Sequence, residues 1–227
     1  ERLETQRLMV LKYEDQSADD LVKLLAYPDM RIRKKAQFEL ADRTFWGYRS
    51  LKKVILEDKN QFARIHAIWG IGQIASDNIK KAQPLMDLLN DEDPEIIAQA
   101  AKVLGDVKYK EAGDKLISLL EHENERVRFF AAQALGRIEY KKAVQPLINF
   151  LAVNNDEDVY LRHAAVLALS RIGEVEPMVA LSENPERSLR IAAVLVLRRL
   201  QNEDVAVFLK DDDEYIVAEA ARAINDD

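Results

Sequence analysis

The chain has 227 residues, 48% hydrophobic and 32% charged, with a formal charge of −7. That supplies apolar material for a sizeable core in one or two domains, and the acidic balance argues against long-range attraction to nucleic acid or anionic lipid. Zero cysteines exclude disulfide frameworks, thiolate metal sites and cysteine nucleophiles, and no apolar run approaches the roughly 18 residues of a membrane span.

The start, Glu1-Arg2-Leu3-Glu4, has neither an initiator Met nor a signal-like stretch, so the chain is expected to be a segment of something longer. Residues 1–16 match no repeat and are expected to form an irregular lead-in. From residue 17 to 227 one pattern recurs, in copies at about 17–43, 44–76, 77–108, 109–140, 141–173, 174–201 and 202–227. The clearest copy runs from Asn124 to Ile138. Aligned on its Arg128, the copies mark positions 33, 64, 97, 128, 162, 190 and 217, spaced by 31, 33, 31, 34, 28 and 27 residues.

Each copy begins with Asp29, Asn60, Asp93, Asn124, Asp158, Glu186 or Asp213, three residues before the first apolar position. There an acceptor side chain caps the free N–H groups of a new helix. Pro94 at a first helical position costs no donor. Val127, Ala131, Leu135 and Ile138 recur at helical spacing, so one stripe of this B helix is buried. Ala36, Ala67, Ala100, Ala131, Ala165, Ala193 and Ala220 hold the middle of the stripe and let two helices approach closely. Between the B helices lie shorter Leu-rich segments at 20–25, 50–56, 84–89, 115–120, 146–151, 177–181 and 205–209, which form the A helices of helical hairpins. One such hairpin cannot bury its apolar face alone, so stability comes from stacking.

The phrase at 124–138 resembles HEAT repeats, specifically the short bilin-lyase-like subtype, over residues from about 18 to the end. The fold this implies is all-α, a right-handed α-α superhelix or HEAT-like solenoid of about seven hairpins. A narrower resemblance rests on Asp19 to Leu25, Pro28 to Arg33, Gln37 to Leu40, Arg64 to Gln73 and Glu219 to Ile224. These phrases are similar to the HEAT segment of large exported bacterial proteins that join a sorbosone-dehydrogenase-like propeller to a c-type haem domain. That resemblance implies an exported, periplasmic setting, and the alternative setting is cytoplasmic. Its enzymatic and haem parts would lie outside this chain, which has no Cys-x-x-Cys-His.

The column of Arg33, Arg64, Arg128, Arg162 and Arg190 reads either as a row of anion-binding guanidinia or as a structural ladder. The ladder is favoured, each Arg bonding an Asp or carbonyl of the neighbouring repeat, because the capping acid lies one turn earlier and Arg suits fixed forked pairing. Ile97 and Val217 interrupt the column, and local slackness is expected there.

Partner-binding residues are expected on the B-helix face that no packing role uses, the open concave side. In register these are Phe62, Ile65, Trp69 and Gln73; Arg126, Phe129, Gln133 and Arg137; Tyr160, His163, Leu167 and Arg171; and Ser188, Ile191, Leu195 and Arg199. The first repeat offers Arg31, Lys34 and Phe38, and the third Glu95, Lys102 and Asp106. Trp, Tyr and Arg dominate interface energetics, so Phe62, Ile65, Trp69, Arg126, Phe129, Arg137, Tyr160, His163, Arg171 and Arg199 are the expected docking residues.

Enzyme readings fare worse. HEAT-type iron hydroxylases take ligands from His-Glu pairs, whereas here His163 is followed by Ala164, His66 by Ala67, and His122-Glu123 stands alone at a turn. The three His read as surface or packing residues, with no metal. HEAT-like DNA glycosylases need a cationic groove that a charge of −7 opposes, and no bilin site can be read. Trp46 and Tyr48, flanking Gly47, are expected to cover the junction of the first two repeats, and Asp211-Asp212-Asp213 to cap a helix and complement its dipole. The functional expectation is a non-catalytic scaffold that needs no cofactor and docks a protein or another domain of its own polypeptide, with no nucleic acid and no membrane insertion. The alternative is a metal- or cofactor-dependent enzyme of hydroxylase or lyase type.

Overall fold

A computed structural model describes residues 2–225, without the side chain of Thr44. Asp226 and Asp227 lie outside the described residues. Every regular element among these residues is helical. The chain divides into two compact units, Glu1–Tyr109 and Lys110–Asp227.

The first unit contains α1 (Arg2–Met9), α2 (Ala18–Leu24), α3 (Met30–Asp42), α4 (Thr44–Glu57), α5 (Gln61–Asp77), a 3₁₀ segment (Ile79–Asn90) and α6 (Pro94–Asp106). The B helices α3, α5 and α6 lie side by side, with α2, α4 and the 3₁₀ segment as their A partners. The second unit contains α7 (Gly113–Ser118), α8 (Glu125–Arg137), α9 (Val144–Asn154), α10 (Val159–Ile172), α11 (Glu176–Ala180), α12 (Arg187–Arg199), a 3₁₀ segment (Glu203–Lys210) and α13 (Glu214–Asn225). Here α8, α10, α12 and α13 form the B row.

The local logic of the repeat is visible in both units. All seven column alanines are fully buried, as are Val127 and Leu135. Without a bulky side chain at mid-stripe, helix backbones meet closely. Asp29, Asn60, Asp93, Asn124, Asp158 and Asp213 each accept a backbone N–H from the first turn of their helix. Glu186 makes no such bond. Its longer side chain suits the cap poorly, and Asn184 instead accepts the Glu186 N–H at 2.9 Å.

Part of the expected irregular lead-in is helical, since residues 2–9 form α1. It has no buried residue and hence no apolar stripe to read. The segment after it is held by the groups it meets: Lys35 donates to the Met9 carbonyl at 2.6 Å, and Arg43 donates to the Gln16 and Tyr13 carbonyls at 2.8 and 3.0 Å.

Trp46 does not cover the first junction. It is 65% exposed, edge-on to Phe45 at 5.3 Å. Gly47 is the reason: it meets the Leu40 carbonyl so closely that no Cβ would fit, which turns Gly47 inward and its neighbour outward. Tyr48 packs, with the Lys81 ammonium 4.3 Å from its ring centre.

Every arginine of the column is paired, but the partners differ from a simple ladder. Arg33 donates to the Tyr27 and Pro28 carbonyls, Arg64 to Ile55, Arg128 to His122 and Glu123, and Arg190 to Asn184 and Pro185. Arg162 pairs with Asp156. Each thus ties down the A–B connection of its own hairpin. Arg64 and Arg190 also pair with acids of the next repeat, Asp91 and Asp211, and Arg33 reaches it with its guanidinium over the Phe62 ring. Those two acids belong to the repeats whose own column residues are Ile97 and Val217, so the expected slack points are tied from the preceding hairpin. The same two repeats wind their A segments as 3₁₀ helices.

Candidate docking face

In the first unit, Phe62 is exposed and carries the Arg33 guanidinium 4.5 Å from its ring centre. Ile65 is only 9% exposed, since α5 is flanked by both α3 and α6; it belongs to the core and not to a docking surface. Trp69 is half-buried and fixed, donating its Nε1–H to Gln99 Oε1 at 2.8 Å, while Gln99 donates to Glu95 at 2.7 Å. A second chain runs from Gln37, which donates to Gln73 at 3.0 Å and accepts the Nδ1–H of His66 at 2.8 Å. Because the Gln37 amide nitrogen is committed to Gln73, its oxygen faces His66 and sets that tautomer. Burial, helped by the positive charge of Arg33, pushes His66 down to about 4, so the ring is neutral at physiological pH. Gln37, Trp69 and Gln73 line a groove of about 400 Å³ together with Lys102 and Asp106, which form an ion pair at 2.7 Å.

His66 and Gln99 stand two residues after the marker position, in a column whose other members are Lys35, Phe130, Ala164, Ala192 and Glu219.

In the second unit, Arg126 is exposed with its guanidinium 5.0 Å from the Phe130 ring, and Phe129 is half-buried, edge-on to Phe130 at 5.2 Å. Arg137 is half-buried; Tyr160, His163 and Arg171 are exposed. On α12 the stripe departs from expectation. Ser188 and Ile191 are buried because α12 is flanked by α10 and α13, leaving Leu195 half-buried and Arg199 exposed. Arg171 and Arg199 have no hydrogen bond or ion pair among the described residues. Over α8, α10 and α12 the stripe positions carry four arginines, two aromatic rings and no carboxylate, within a chain of charge −7.

His122 accepts the Asn124 N–H at 3.0 Å as part of a helix start, and among the described residues no group of three His, Asp or Glu is placed to hold a metal ion. No described helix is long and apolar enough to cross a membrane.

The sequence profile described as HEAT repeats matches residues 48–119, 82–159 and 113–198. No curated protein sequence matches the chain significantly. Among solved structures, the chain is similar to the complex of CpcE and CpcF of phycocyanin lyase from Nostoc sp. PCC7120, with a TM-score of 0.54 and 19% identity over 92% of this chain and 87% of that one. It is similar to the HEAT-like repeats protein from the archaeon Thermococcus onnurineus NA1, with a TM-score of 0.54 and 17% identity over 78% and 79% of the two chains. An engineered protein gives a TM-score of 0.53 at 21% identity, covering 92% and 96%. At these identities the likeness is one of fold.

Proposed function

The chain belongs to the HEAT-repeat family, and from that premise we propose that it is a non-catalytic interaction scaffold which docks a protein, or another domain of its own polypeptide, on the exposed face of its B helices. The observation that carries this reading is the stripe on α8, α10 and α12, whose positions hold Arg126, Arg137, Arg171 and Arg199 together with Phe129 and Tyr160 and no acid. Guanidinium groups and aromatic rings supply most of the affinity at protein interfaces, and a face of one sign selects a partner of the other. The partner it suits is a segment carrying Asp or Glu beside aromatic or aliphatic side chains. In the first unit Phe62 and Trp69 remain docking candidates, whereas Ile65 does not. The likeness to a phycocyanin lyase complex brings no catalytic residue with it, and nothing in the geometry favours the enzyme alternative.

Selection from a display library of random peptides against the intact chain tests this reading. The selected peptides are expected to be rich in acidic and aromatic residues. They should lose about tenfold or more in affinity on Tyr160→Ala and on the double change Arg171→Glu with Arg199→Glu. All three side chains are exposed, so thermal midpoints should stay within about 2 °C. Selected peptides that bind these variants as tightly as the parent would remove the stripe from consideration.

A further inference from the structure

The second unit holds a cleft of about 660 Å³ between two A helices and their A–B connections. Ile117, Leu120, Phe150 and Leu161 form its apolar floor, and Val153, 87% exposed, stands at its edge. Its origin is a local insertion. From Leu120 the chain reaches the cap residue Asn124 in four positions, but from the equivalent Leu151 it takes seven to reach Asp158. The three extra residues prolong α9 to Asn154 and force Asn155 and Asp156 into left-handed backbone. The prolonged helix end supplies a wall that the preceding hairpin lacks.

The rim is acidic. Glu121, Glu125, Glu157 and Asp158 surround the mouth, with Arg128 as the one cation. Asp158 is occupied capping α10, and Arg128 is turned to the His122 and Glu123 carbonyls, 3.9 Å from Glu125. Glu121 and Glu157 have no partner among the described residues. An apolar floor under uncompensated carboxylates suits an apolar group carrying a cation, since burying the one and pairing the other reinforce each other.

We propose that this cleft is a second docking site, taking a peptide segment of a partner protein that presents a bulky apolar side chain next to a lysine or arginine. It shares no residue with the arginine stripe, being lined by the A helices, the A–B connections and the first turns of α8 and α10, and it is acidic.

Two fluorescein-labelled peptides test it by anisotropy on the intact chain, one alternating Phe and Leu with Lys, the other with Glu in place of each Lys. The Lys peptide is expected to bind at least about tenfold more tightly than the Glu peptide. Val153→Asp, and Glu121→Lys combined with Glu157→Lys, should each weaken it by about tenfold, while Arg171→Glu should leave it unchanged. These side chains are exposed, and Val153→Ser with Glu121→Gln and Glu157→Gln replace them should the stronger changes lower the thermal midpoint. The proposal falls if the two peptides bind alike, if no saturable binding is seen, or if either cleft variant binds the Lys peptide as the parent does. Loss on Arg171→Glu alone would return the peptide to the stripe and likewise overturn it.

Discussion

Arg190 places its Nε 2.7 Å from Oδ2 of Asp211, one repeat further on, and the Asp211 side chain is 4% exposed. The same Asp211 accepts the Asp213 N–H at 2.8 Å, and the same Arg190 holds the Asn184 carbonyl at 2.9 Å. One pair therefore joins two A–B connections. Asp211→Ala strands a shielded guanidinium and should cost about 2–4 kcal/mol in urea unfolding. Lys53→Ala removes half of an exposed pair at 4.0 Å and should cost under about 0.5 kcal/mol. Equal effects would mean that burial adds nothing to the Arg190 contact.

His66 links stability to pH. In the folded chain it titrates near 4, against an ordinary value near 6.5, so on acidification the unfolded chain takes up the proton first. Its contribution is complete above about pH 6.5, declines as pH falls through that value, and levels off below about 4. Between pH 7 and 5 the loss is about 2 kcal/mol. His66→Gln, which keeps a hydrogen-bonding side chain beside Gln37, should flatten this part of the profile. Parallel profiles for variant and parent would refute the assignment.

Helices α8 and α10 meet closely at Gly136, where a Cβ would stand 2.5 Å from Ala168 Cα. Backbone cannot swing aside as a side-chain tip can. Gly136→Ala should therefore cost about 1–3 kcal/mol or more by forcing α8 away from α10. Gly173 has open space but a φ of +79°, and Gly173→Ala should cost about 1 kcal/mol from backbone strain alone. Thermal melts of the two variants separate crowding from strain.

Helix caps give a paired prediction. Asn124 accepts two backbone N–H groups, from Arg126 and Val127, and Asn124→Ala should lose about 1 kcal/mol. Glu186 accepts none, so Glu186→Ala should be near neutral and Glu186→Asp should stabilise by a few tenths of a kcal/mol or more. Chemical denaturation of the three variants checks the order.

The repeat register, the buried alanine column and six of the seven caps were legible from residue order alone, because each depends on groups within a turn or two along the chain and recurs at a readable period. The exposed members of the docking stripe follow from the same periodicity, as Tyr160 and Arg171 illustrate. The buried members do not. Ile65, Ser188 and Ile191 occupy the same helix face, but neighbouring B helices cover them, and the width of that cover is set by interhelical distance.

Contacts between hairpins were decided only in three dimensions. Nothing in the spelling of Arg128 or Arg64 says that one stops within its own hairpin while the other also reaches Asp91. The choice depends on where the next connection passes, as does the outward turn of Trp46 beside Gly47. The cleft at α9 has the same origin: a three-residue insertion is plain in the repeat spacing, but whether it bulges, frays or prolongs a helix is settled by what packs around it. Local hydrogen bonding and period wrote the stack into the sequence, and the shape of its surfaces came from packing one hairpin against the next.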